Sequence, residues 1–261
     1  MRWSGGAGDG GCLGDDSSVP VVGRGKFDRE TLELKDGHKV GFARRVATLL
    51  AAACGTYLML IRPWHLRWGA TDEEVSQSMP GDEIIEHAEL NVTRAITIEA
   101  PPEAVWPWLV QIGHRRGGFY SYDSLENLLG LEIHSADRII PELQRLEAGD
   151  TIPLGPETQM TVVAMEPPGL LALHTVMHPL TGRAIGPDER APRTYLDWSW
   201  TWTVEEFSEK TTRLTLRTRA RYKPRLLVGL GMSLLIEPIH FVMERKMLLG
   251  IKERAERGRA R

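Results

Sequence analysis

Several groups of side chains in this sequence are spaced so that they could do chemistry. His240 lies three residues after Glu237 and four before Glu244. On a helix both carboxylates would reach its imidazole, raising its pKa and supplying an acid or a hydrogen bond to a ligand. The plainer alternative is a charge cluster on a helix surface. His134, Asp137 and Arg138, in IHSADRI, fall in a connector, where sites are common but where an Asp and Arg pair also serves to fix a loop. Tyr120, Tyr122 and Asp123 place two phenols beside a carboxyl, although Asp123 followed by Glu126 also fits a helix cap. His174 and His178 have a metal-binding spacing for a helix, but they fall on an extended segment and its exit, where the two rings diverge. No phosphate-binding glycine motif, serine elbow or HExxH is present, so the sequence predicts neither a metal nor a cofactor.

The elements that must position these groups begin with LDWSWTWTV, residues 196–204. In a strand Leu196, Trp198, Trp200, Trp202 and Val204 share one face, and Asp197, Ser199, Thr201 and Thr203 the other. Three indoles on one face mean a packed core or a cavity wall. Further strands are predicted at residues 91–98, 150–154, 159–165, 170–176 and 213–222, the last pairing with the tryptophan strand as a hairpin. In that hairpin Leu214, Leu216, Thr218 and Ala220 continue the tryptophan face, while Arg213, Arg217, Arg219 and Arg221 continue a face expected to be wet. Pro102 suits the first turn of a helix carrying Val105, Trp106, Leu109 and Val110, which Pro107 should shorten or bend. A second short helix near Asp123 should bury Leu125, Leu128 and Leu129. A long helix from Leu226 to about Arg257 closes the chain, with Met232, Ile236, Ile239, Met243, Met247 and Gly250 in one band.

Composition bounds the rest. With 261 residues, 42% hydrophobic and 26% charged, the chain supports one good core and an appendage. A net charge of −3 leaves no basic footprint, which argues against a nucleic-acid partner. Cys12 and Cys54 fit neither a disulfide framework nor a zinc site. Residues 1–40 open with a glycine-rich, low-complexity run expected to be a disordered tail. Val46–Ile61 is uncharged for sixteen residues and is flanked by Arg44, Arg45, Arg62 and Trp64. As a helix it spans about 24 Å, short of a hydrocarbon core of about 30 Å unless flanking arginines and tryptophans snorkel. A single membrane helix is expected, with a docking helix or a cleaved signal as alternatives. Lys and Arg are denser before it than after, so a spanning helix would put the carboxy-terminal domain outside the cytoplasm; the alternative is a cytoplasmic domain.

The order strand, two helices, antiparallel strands and long final helix resembles the SRPBCC superfamily. This is the START-like helix-grip group that includes birch-allergen-like and polyketide cyclase-like proteins. The resemblance rests on TRAITIEAPPEAVWPWLVQIG (residues 93–113), GGFYSYDSLENLLG (117–130), HSADRIIPELQRLEAGD (134–150) and EPIHFVMERKMLLGIKERAE (237–256). It implies an α+β helix-grip fold, a curved antiparallel sheet wrapped around the final helix with a hydrophobic cavity between. Residues 90–257 would then be the ligand-binding domain, 65–89 a linker, 41–64 the membrane or docking helix and 258–261 a basic tail. The expected function is binding of a hydrophobic small molecule or lipid, with a cyclase or aromatase as the enzymatic alternative and an assembly factor as a third. Cavity candidates are Trp198, Trp200, Trp202, Ile236, His240, Met243, Met247, Tyr120, Tyr122, His134 and Arg138.

Overall fold

The computed structural model describes residues 27–258, apart from 129, 187, 188 and 190–192. The expected amino-terminal tail therefore lies mostly outside the described residues, as does Leu129. The chain divides into two compact units between Cys54 and Gly55. A helix, α1 (Phe27–Thr56), begins well inside the stretch expected to be tail. The glycine-rich run ends at Ser18, and the charged sequence FDRETLELKDGHK that follows Lys26 has good helix formers. A π turn at Tyr57–Ile61 and α2 (Arg62–Leu66) continue it.

The second unit is an α+β helix-grip fold. Its described residues form a six-stranded antiparallel sheet in the order β1-β6-β5-β4-β3-β2. The strands are β1 (Leu90–Ile98), β2 (Thr151–Pro153), β3 (Gln159–Glu166), β4 (Leu170–Met177), β5 (Tyr195–Ser208) and β6 (Thr211–Lys223). Each lies where alternation placed it, and β5 pairs with β6 so that Trp198, Trp200 and Trp202 stand opposite Ala220, Thr218 and Leu216. Between β1 and β2 come α4 (Pro102–Val110) and α5 (Asp123–Leu128). The chain closes with α6 (Arg225–Gly231), a π turn at Met232–Ile236 and α7 (Glu237–Arg257). Met247, Leu248, Ile251 and Ala255 of α7 are buried with Leu109 of α4 and Trp202 of β5. Gly250 has to be glycine, since a Cβ there would sit 2.2 Å from the Tyr120 carbonyl oxygen.

The polar side of the hairpin departs from expectation. Instead of being wet, Ser199, Thr201, Thr203 and Arg217 are buried. Of the stretch 65–89 expected to be a linker, residues 67–89 form a strap that includes α3 (Asp72–Ser76) and a 3₁₀ turn (Asp82–Ile85). Arg213 bonds both oxygens of Glu74 at 2.6 and 2.8 Å, Arg217 bonds Asp82 at 2.7 Å, and Arg219 bonds the Ile85 carbonyl at 2.9 Å. Arg213 is the main reason the Glu74 carboxyl titrates below its ordinary range. The strap is polar in sequence because its partners on the sheet are polar, so burial by ion pairing left no apolar pattern to read.

Candidate functional site

The inner face of the sheet and the final helix do not close on each other along their whole length. Between Trp198, Trp200, α5 and the first turns of α7 lies a cleft of about 440 Å³. Its walls are Phe119, Leu125, Leu128, Leu154, Met243 and Met247 with the two indoles, and the polar residues reaching it are Ser121, Glu126, His240 and Glu244. Leu125 and Leu128, expected to be buried, stand 47% and 82% exposed because α5 holds off from α7 and turns them to the rim. The capping box expected of α5 is replaced by another arrangement. Asp123 accepts from the Ser135 amide at 2.7 Å and its hydroxyl at 2.6 Å, while Glu126 accepts from Ser121.

At the inner end of the cleft stands a buried ion pair. Arg94 comes from β1, at an alternate position shared with Val92 and Ile96, and donates to Glu244 of α7. The other Glu244 oxygen accepts from Trp200 Nε1 at 2.8 Å and Thr218 Oγ1 at 3.2 Å, and His240 Nδ1 lies 3.4 Å from it. Arg94 also donates to the His65 carbonyl at 3.0 Å and stacks on Phe241, 5.2 Å from its centroid. Such a pair is costly to bury and is tolerated here because both Glu244 oxygens accept hydrogen bonds and Arg94 has a second acceptor in the His65 carbonyl.

His240 differs from its sequence expectation. It lies beside Glu244, but that carboxylate already belongs to Arg94, Trp200 and Thr218. The ring keeps some exposure at the cleft, yet burial on its other sides, with Arg94 close by, pushes its pKa down to about 3. Glu237, the other expected partner, is taken by Arg62 through two bonds at 2.7 and 2.9 Å. A neutral imidazole therefore faces the cleft, edge-on to Trp198 at 5.6 Å between centroids. Trp198 and His240 also wall a second space of about 150 Å³, which Ile236, Met232, Leu196 and Met177 line.

Among the described residues, two polar atoms of cleft-lining side chains are unpartnered, and neither opens to the cleft. Glu126 Oε2 and Trp198 Nε1 are buried without a hydrogen bond. Burial raises the Glu126 pKa, partly offset by the Ser121 hydroxyl.

The predicted candidates thus divide. Trp198, Trp200, His240, Met243 and Met247 are brought together at the cleft, and Ile236 at the smaller space. Trp202 lies fully buried in the core. Tyr120 is buried behind the cleft, its hydroxyl donating to the Trp108 carbonyl at 3.1 Å under the Arg254 guanidinium. Tyr122, His134 and Arg138 are exposed and line neither space. Asp137 pairs with Arg254 at 3.3 Å, as a loop-fixing contact would. His174 meets Asp197 at 2.8 Å on the outer face, and among the described residues no group of three or more His, Cys, Asp or Glu could hold a metal ion. Arg94 and Glu126 were missed; a lone charge at an inward position of β1 was the available signal for the first.

No protein-family model matches the sequence, and no curated protein matches it. Solved structures do. A conserved protein from Geobacillus kaustophilus is 13% identical, with 64% of this chain and 96% of that chain covered, at a TM-score of 0.37. Norcoclaurine synthase from Thalictrum flavum is 13% identical over 63% and 91%, at 0.34. A Polyketide_cyc-like protein from Corynebacterium glutamicum is 15% identical over 62% and 88%, at 0.27. At these identities and scores the likenesses carry nothing about ligand or reaction.

Proposed function

We propose that the cleft binds a hydrophobic small molecule or lipid, and that the apolar helix holds the domain at a membrane. The observation that carries the first part is the cleft itself: an apolar space walled by two indoles and two methionines, whose only charged pair is already engaged. A ligand site of this kind is mostly apolar with a few polar groups to fix orientation. Here the open surface is almost wholly apolar: Glu126 Oε2 and Trp198 Nε1 belong to lining residues but are themselves buried, so a ligand is recognised by its apolar body. A cyclase needs several convergent acid and base groups. Glu244 is committed to three donors and His240 is held neutral, which leaves Glu126 as the one carboxyl in the wall with a free oxygen.

Support for the second part is that Arg44–Leu66 is long and apolar enough to cross a membrane and that its most apolar stretch is unburied. The test is native mass spectrometry of the full-length chain extracted from membranes of its own host, followed by identification of what leaves with it. A retained apolar compound, one per chain, is the expected result. A bare mass, with full recovery of the chain in the detergent-free soluble fraction, would sink both parts.

A further inference from the structure

The last helix runs beside the end of the apolar helix, and in the same direction. The Tyr57 hydroxyl donates to the Ser233 carbonyl at 2.8 Å, Arg62 holds Glu237, and Trp64 meets Phe241 edge-on at 5.3 Å. Position 57 is thus level with 233, 62 with 237 and 64 with 241. From Leu226 to Ile236 the last helix carries no charge. Leu226, Leu230, Leu234, Leu235, Ile239 and Val242 are all exposed. In an uninterrupted α-helix the last three would point away from Leu226; the π turn at Met232–Ile236, closed i to i+5, turns them back toward it and gathers one broad apolar face. Ile239 on that face is also part of the cleft wall, next to the exposed Leu125 and Leu128.

We infer that residues 226–242, together with residues 57–66, form a face that lies in the plane of the membrane surface, with the rim of the cleft against the lipid. This rests on the membrane reading proposed above and changes its geometry. If residues 57–61 stood upright as the end of a membrane span, the parallel register would carry Arg225 about 12 Å deeper than Tyr57, at a rise of 1.5 Å per residue. Arg225 and its partner Glu89 would enter hydrocarbon, where charge is expensive. Lying flat, the same helix puts its leucines into the acyl boundary and leaves Arg225 and Lys223 among the headgroups, as interfacial helices do. An apolar ligand then passes between bilayer and cleft without crossing water.

The experiment uses the full-length chain with Cys12→Ser and Cys54→Ser, carrying an environment-sensitive NBD label at one of Leu49→Cys, Leu230→Cys, Leu234→Cys, Val242→Cys or, on the β5–β6 hairpin, Phe207→Cys. Each is reconstituted in phosphatidylcholine and phosphatidylglycerol vesicles containing lipids with a nitroxide on the acyl chain. Equal loss of emission at 230, 234 and 242, with none at 207, is expected. A loss that grows steadily from 242 to 230 would mean that the helix dives into the bilayer, overturning the flat arrangement. Loss at 49 with none at 230, 234 and 242 would overturn the inference and leave the anchor standing. No loss at any position would overturn both.

Discussion

The two halves of the last helix both carry an apolar stripe, and the stripes have opposite fates. From Met247 to Ala255 its apolar side chains are buried and Gly250 touches the Tyr120 backbone; from Leu226 to Val242 a row of leucine, isoleucine and valine stands open. Periodicity in the sequence marks a stripe on both halves but says nothing of what covers it. In the second half α4 and the sheet provide the cover. In the first half α5 stands off, and what faces the helix is a cleft and then the exterior. Each large apolar side chain left in water forgoes about 1.5–3 kcal/mol of burial. Seven such side chains in one run, Ile236 among them, are therefore a strong sign of an apolar partner. The boundary falls at Glu244, where Arg94, Trp200 and Thr218 tie helix to sheet.

Cutting that tie should have the largest effect. Arg94→Met leaves Glu244 buried and unpaired and should cost about 3–5 kcal/mol in denaturant unfolding, while Arg94→Met with Glu244→Leu should recover most of it. A single variant as stable as wild type would show that the pair does not join the halves. In the closed half, Gly250→Ala drives a methyl into the Tyr120 carbonyl and should cost about 1–3 kcal/mol; a neutral result would mean that this half is looser than its burial implies.

At the boundary, His240 is neutral in the fold, with a pKa near 3 set by burial and Arg94. Unfolded, it protonates near pH 6.5, about the ordinary value. Below that pH the unfolded chain binds a proton that the folded chain refuses, so stability falls as pH drops from about 6.5 toward 3. His240→Gln should shallow that acid slope, and parallel curves for the two proteins would contradict the neutral assignment. In the open half, Leu128→Ser should change stability by less than about 0.5 kcal/mol, as an exposed substitution does, while weakening retention of an apolar ligand. A large destabilisation would place Leu128 in the core rather than at the rim.

Most of the sheet was legible because β5 and β6 alternate strictly and the buried face is rich in tryptophan and leucine. The strap over the outer face was not, because Glu74 and Asp82 bury themselves against arginines and read as a solvated linker. Half of the cleft could be found from His240, Met243 and Met247, which share a helix face by spacing, and from Trp200 on the inward face of β5. Leu125 and Leu128 have the same apolar signature whether they fill a core or frame an opening, and only the stand-off of α5 decides between them. The spacing of His240 and Glu244 was read correctly as proximity. Its charge state was not, because Arg94 lies 150 positions away in the chain and had claimed the carboxylate first.

The central claim is that the cleft holds an apolar ligand between Trp200 and Met243. Its most direct test is the ligand occupancy of Met243→Trp, measured by native mass spectrometry on chain purified in parallel with wild type. A tryptophan at that position fills part of the 440 Å³ while leaving Arg94 and Glu244 themselves unchanged. The expected result is a wild-type chain carrying one apolar adduct and a variant of unchanged melting temperature carrying none. Equal occupancy in the two proteins would contradict the claim and move the binding site out of the cleft.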